Sequence, residues 1–155
     1  MKTTQLEKIV LILSPDEWHG HSSETVWAEK VGEGRYRLRS VPFYAKGLSF
    51  GDVVNTRTQD GKEVVHGVSL RSGHSTYRVF IKAPIEVGSS GFDRAWRPIQ
   101  DLGCTYERAT EHLIAIDVPS SADLDAVYAL LESGEAAGVW NFEEGYCGRG
   151  SNTSQ

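Results

Sequence analysis

Short alternating strings of apolar and polar residues fill the first half of the chain, and a helical period enters only in the second. Ile9-Val10-Leu11-Ile12-Leu13 is long enough for a buried strand and stops at Ser14-Pro15-Asp16-Glu17. The polar stretch that follows, with His19, Gly20 and His21, reads as a surface connection tying a peripheral strand to the body. Strand patterns recur over residues 25–31 and 35–39, where strict alternation turns Tyr36 and Leu38 inward. Residues 52–58 and 62–70 flank Gln59-Asp60-Gly61. Asp-Gly supplies the positive φ of a tight hairpin turn, so these two strands are predicted to pair antiparallel. Between the strands, residues 41–52 combine a proline, two glycines and several aromatics, which predicts a structured loop or barrel corner.

The period then changes. Residues 76–82 read as a strand. Phe92, Trp96, Ile99 and Leu102 recur at spacings of four, three and three, one face of a helix that Pro98 must kink or end and that Gly103 closes. Strands over 104–109 and 112–118 follow. Ser120-Ser121-Ala122-Asp123 resembles a capping segment before Leu124, Val127, Leu130 and Leu131, with Gly134 and Gly138 ending that helix and residues 139–142 forming the last strand. The order β-α-β-β-α-β is the ferredoxin-like one. The predicted fold class is therefore α+β, an N-terminal twisted antiparallel sheet or partial barrel followed by a ferredoxin-like half. Four stretches are expected: 1–23, an N-terminal strand and connection; 24–80, the antiparallel β subdomain; 75–147, the ferredoxin-like subdomain sharing its first strand; and 148–155, a flexible tail.

Composition narrows the function classes. At 155 residues with 39% hydrophobic side chains, the chain can bury a sizeable core, so wholesale disorder is excluded. Cys104 and Cys147 are the only cysteines, too few for a disulfide framework or a structural zinc site, and this points to a reducing cytoplasm. No apolar run approaches the ~20 residues of a membrane span. The net charge of −5 disfavours nucleic acid as a direct ligand. Its distribution says more: residues 22–80 sum to +3 and residues 81–155 to −7, so an acidic second half is placed to attract a cationic partner.

The candidate chemistry is sparse. In residues 71–78, Ser72, Gly73, His74, Ser75, Thr76 and Arg78 form an anion-binding candidate, since a glycine between hydroxyls can turn N–H groups toward one anion. The competing reading of this segment is a hairpin turn with Gly73 at positive φ. Catalysis there would use His74 as acid or base, oriented by a carboxylate such as Asp52 or Glu63, with Arg78 as clamp. His19 and His21 lack further ligands at metal-binding spacing and read as solvent-facing, so no metal and no cofactor is expected. Asp123, Asp125, Glu132 and Glu135 along the second helix, with Trp140, Glu143 and Glu144 on the last strand, make a candidate binding surface. For Trp140, core packing is the competing reading. Walker, GxGxxG, GxSxG and HExxH signatures are absent.

Residues 41–54, Val-Pro-Phe-Tyr-Ala-Lys-Gly-Leu-Ser-Phe-Gly-Asp-Val-Val, and residues 72–79, Ser-Gly-His-Ser-Thr-Tyr-Arg-Val, resemble a bacterial family known as domain of unknown function 4265. The resemblance covers roughly residues 24–118 and implies a small bacterial cytoplasmic protein, without an activity or catalytic residue to carry over. Two functions remain. The first is an immunity-type inhibitor that neutralises a toxin by covering its active or binding surface, with a cationic toxin domain as protein partner. The second is a hydrolase or transferase acting on a phosphate-bearing nucleotide or RNA through the Ser72–Arg78 loop. Small size, an acidic half and missing enzyme signatures favour the first, a non-enzymatic role.

Overall fold

The computed structural model describes residues 5–82 and 90–148. Residues 149–155 of the expected flexible tail lie outside that description. β1 (Leu6–Ile12), β2 (Ser23–Gly32), β3 (Arg35–Leu38), β4 (Val53–Gln59) and β5 (Lys62–Leu70) form a closed barrel in chain order. Each strand pairs antiparallel with the next, and β1 closes onto β5 through a parallel contact at Val10 and Val64. β1 is therefore not peripheral. Ile9 and Leu11 alternate into a core shared with Val26, Ala28, Tyr36, Leu38 and Val54, and this burial draws the strand into the ring. Asp60 and Gly61 both take positive φ, 51° and 78°, as the hairpin between β4 and β5 requires.

The second unit runs β6 (Ser75–Ile81), α1 (Ser90–Asp101), β7 (Thr105–Arg108), β8 (Leu113–Val118), α2 (Leu124–Ala136) and β9 (Trp140–Tyr146). Its four strands lie in the antiparallel order β7-β8-β6-β9 of a ferredoxin-like sheet, and β6 belongs to this sheet alone. Tyr77, Val79 and Ile81 of β6 and Ile114, Ile116 and Val118 of β8 face the helices, where Phe92, Trp96 and Ile99 of α1 and Val127 and Leu131 of α2 complete the core. Asp123 caps α2, its carboxylate accepting from the Ala126 N–H at 3.1 Å. Gly134 does not end this helix. It lies inside α2 because a β-carbon there would come within 2.4 Å of the Trp140 ring.

The opposite face of the sheet presents Thr76, Arg78 and Phe80, which meet the barrel loops. The loop of residues 41–52 is held at both ends by carboxylates. Glu24 accepts the N–H groups of Phe43 (2.5 Å), Tyr44 (3.1 Å) and Ala45 (3.0 Å), while buried Asp52 accepts those of Ser49 and Ser72. Three N–H groups converging on one carboxylate satisfy donors that the irregular backbone would otherwise leave without partners. Gly47 N–H then reaches Gly145 of β9 at 2.9 Å, and Trp18 sets its ring edge-on to Phe80 at 5.0 Å, so both barrel loops key onto the sheet.

Candidate interaction surface and the polar seam

Asp125, Tyr128, Glu132 and Glu135 follow one another at spacings of three, four and three along α2 and emerge on one exposed stripe. The stripe faces away from α1 and toward β9, where Tyr128 packs edge-on against half-buried Phe142 at 5.5 Å. Glu144, two residues further along the same side of β9, accepts from the Tyr77 hydroxyl at 3.4 Å. Burial first, then the Glu144 charge, hold the Tyr77 phenol well above its ordinary value. β9 is the last strand of its sheet and, among the described residues, pairs only with β6. The result is an open strand edge bordered by carboxylates and by Tyr128, which is 41% exposed. Residues 109–148 contain no lysine or arginine at all.

Two of the expected surface residues are placed elsewhere. Trp140 is 0% exposed, its Nε1–H donating to the Leu131 carbonyl at 3.0 Å, because alternation in β9 points it under α2. Glu143 projects to the barrel side, where its carboxylate lies 3.4 Å from the Arg78 guanidinium. The surface is therefore carried by Asp125, Glu132, Glu135 and Glu144. Asp123 serves the helix start, and Tyr128 is the residue the sequence reading passed over. Its signal was its place one step outside the apolar face of α2.

The anion-binding candidate is spent on the fold. Ser72 donates its N–H to Asp52 and its hydroxyl to the Phe50 carbonyl, and accepts the His74 N–H; Ser75 accepts from Gly148, and Thr76 donates to the Leu48 carbonyl. Gly73 takes φ 89°, as the turn reading requires. Arg78 is no anion clamp. It is 0% exposed, bonded to the Ala45 carbonyl and Glu143, with Nε left unpartnered among the described residues. Burial lowers its pKa, opposed by Glu143 and Glu24. His74 does have an orienting carboxylate, but it is neither Asp52 nor Glu63. Asp117 of β8 reaches His74 Nδ1 at 2.7 Å, while Glu63 is engaged by Thr56 and Thr58 on the barrel. Burial raises the Asp117 pKa, and His74 opposes the rise. Nearby, burial also raises Glu107, which accepts the Val41 N–H at 3.1 Å.

His19 is not solvent-facing either: its ring is 1% exposed and stacks with His21 and Tyr44. Among the described residues no group of three His, Cys, Asp or Glu side chains is arranged to hold a metal ion. No described helix is long and apolar enough to cross a membrane.

A five-stranded barrel keyed by its loops onto a ferredoxin-like sheet defines a two-unit α+β protein. The chain belongs to the DUF4265 family, a domain of unknown function, whose model matches residues 24–142. A solved structure described as a novel crystal structure of a hypothetical protein from Neisseria gonorrhoeae is similar over 94% of this chain and 97% of that one, with a TM-score of 0.76 at 14% identity. This likeness is one of fold. No curated protein matches the sequence.

Proposed function

We propose that the chain is a small bacterial protein-binding inhibitor of the immunity type, acting in the cytoplasm, whose α2–β9 face covers a basic surface of a toxin domain. The observation that carries this reading is the exposed stripe of Asp125, Glu132 and Glu135 beside Glu144, in a 40-residue stretch without a single basic side chain, set around Tyr128 at an open sheet edge. Carboxylates of one sign speed and orient encounter with a cationic protein, and a part-exposed aromatic supplies the contact that slows its release. No cofactor is needed for such a role. The hydrolase reading has the His74–Asp117 pair in its favour, but the hydroxyls and the arginine it needs are committed to other bonds.

The test is co-purification from the producing bacterium with the wild-type chain and with Glu132→Lys combined with Glu135→Lys. One basic protein should be retained by the wild type, lose its toxicity when bound, and bind at least about tenfold more weakly to the charge-reversed chain. Failure to find any protein ligand, or equal retention by both chains, would overturn the reading.

A further inference from the structure

At one mouth of the barrel lies a cavity of about 330 Å³, within the size range of small-molecule sites. Its floor is apolar, made by Leu11 of β1, Val65 of β5 and Leu48 of the 41–52 loop, and its rim carries Glu17, His19 and Lys46. The rim is built rather than incidental. His19 is held in place by the His21 N–H, which donates to its Nδ1 at 2.9 Å, so the ring proton sits on Nε2. That Nε2 lies 4.0 Å from Glu17, beyond hydrogen-bond reach, and keeps its donor for another acceptor. Lys46 is fixed by its neighbours on either side, since Ala45 N–H is bound to Glu24 and Gly47 N–H to Gly145, yet its ammonium makes no ion pair among the described residues.

A cation, a carboxylate and a ring N–H above a hydrocarbon floor match a zwitterion bearing an aliphatic side chain. We propose that this cavity binds a free aliphatic α-amino acid, with its carboxylate on Lys46 and His19, its ammonium on Glu17, and its side chain against Leu11, Leu48 and Val65. An anionic amphiphile would set its charge against Glu17, and a simple amine would set its charge against Lys46. Only a ligand carrying both charges meets both. The site is separate from the α2–β9 surface, and its standing does not depend on the partner-binding reading.

The experiment is an NMR titration of the whole chain with L-leucine, N-acetyl-L-leucine and L-leucinamide, following the methyl groups of Leu11, Leu48 and Val65. L-leucine should shift these signals saturably, and each blocked analogue should bind about tenfold or more weakly. Lys46→Ala should weaken L-leucine binding by a similar factor with an unchanged melting temperature, and Lys46→Arg should recover most of it. Absence of saturable shifts at these methyls, shifts confined to other residues, or equal binding of the N-acetylated compound would overturn the assignment.

Discussion

At position 134 the fold leaves room for a hydrogen and nothing larger. The Trp140 ring is fixed by its bond to Leu131 and lies across the helix at Gly134, 2.4 Å from where a β-carbon would stand. Alanine would gain up to about 1 kcal/mol in helix propensity. Overpacking against a ring that cannot turn away costs about 1–3 kcal/mol and prevails. Gly134→Ala should lower the thermal midpoint, and an unchanged midpoint would show that the ring can move. The buried Cys104 thiol makes a second point at this scale. Burial pushes it up to about 11 from an ordinary 9.0, with Asp117 adding to the rise. A group whose folded pKa is raised contributes stability that is complete below its unfolded pKa and is lost as pH climbs through the folded one. Denaturation between pH 9 and 11 should therefore show falling stability, less steep in Cys104→Val, with the raised Tyr77 acting in the same direction. A thiol reagent should label partly exposed Cys147 in the native chain and reach Cys104 only on unfolding. Equal labelling of both would contradict the packing.

Among the elements, the 41–52 loop decides how barrel and sheet meet. Replacing Glu24 by alanine strips the N–H groups of Phe43, Tyr44 and Ala45 of their acceptor, at about 1–3 kcal/mol for each donor left unpaired and dry. Hydrogen exchange should show these three amides losing protection far more than the amides of β2 and β3, and uniform loss would contradict the anchoring role. The loop also marks where the sequence stops being readable. Alternation and helical period located the two α-helices and most strands, because those patterns are local. Barrel closure rests on a single pairing between Val10 and Val64, and no local pattern announces it. The same limit hid the partner of His74, which lies 43 residues away on β8, and the burial of Arg78, whose neighbours Tyr77 and Val79 gave the strand while its own guanidinium crosses to the barrel. The acidic second half was legible as charge. Which of its carboxylates reach solvent was settled by the side of β9 and the turn of α2 on which each one falls.

Seen whole, the molecule separates its charges. The carboxylate-rich face of α2 and β9 stands on one flank, and exposed Arg94 and Arg97 stand on α1 beyond the groove between the helices. The two units are joined by a seam in which Arg78, Glu143, Glu24 and Asp52 meet backbone groups, so neither unit presents its polar loops freely. Breaking a buried pair by removing one partner costs about 3–5 kcal/mol. Arg78→Ala should therefore cost stability of that order in chemical denaturation, and a loss below about 1 kcal/mol would mean the seam is dispensable. The surface role makes a separate prediction. Glu132→Lys with Glu135→Lys, both exposed, should leave stability within about 0.5 kcal/mol of wild type, as checked by the same denaturation. The most direct measurement is photo-crosslinking in the producing bacterium, with a photoreactive residue placed at position 132 on α2 or, as a control, at position 97 on α1. A discrete adduct with one basic protein from position 132, absent from position 97 and diminished by added salt in lysate, is the predicted result. No adduct at 132, or the same adduct from both positions, would contradict a binding role for the α2–β9 face.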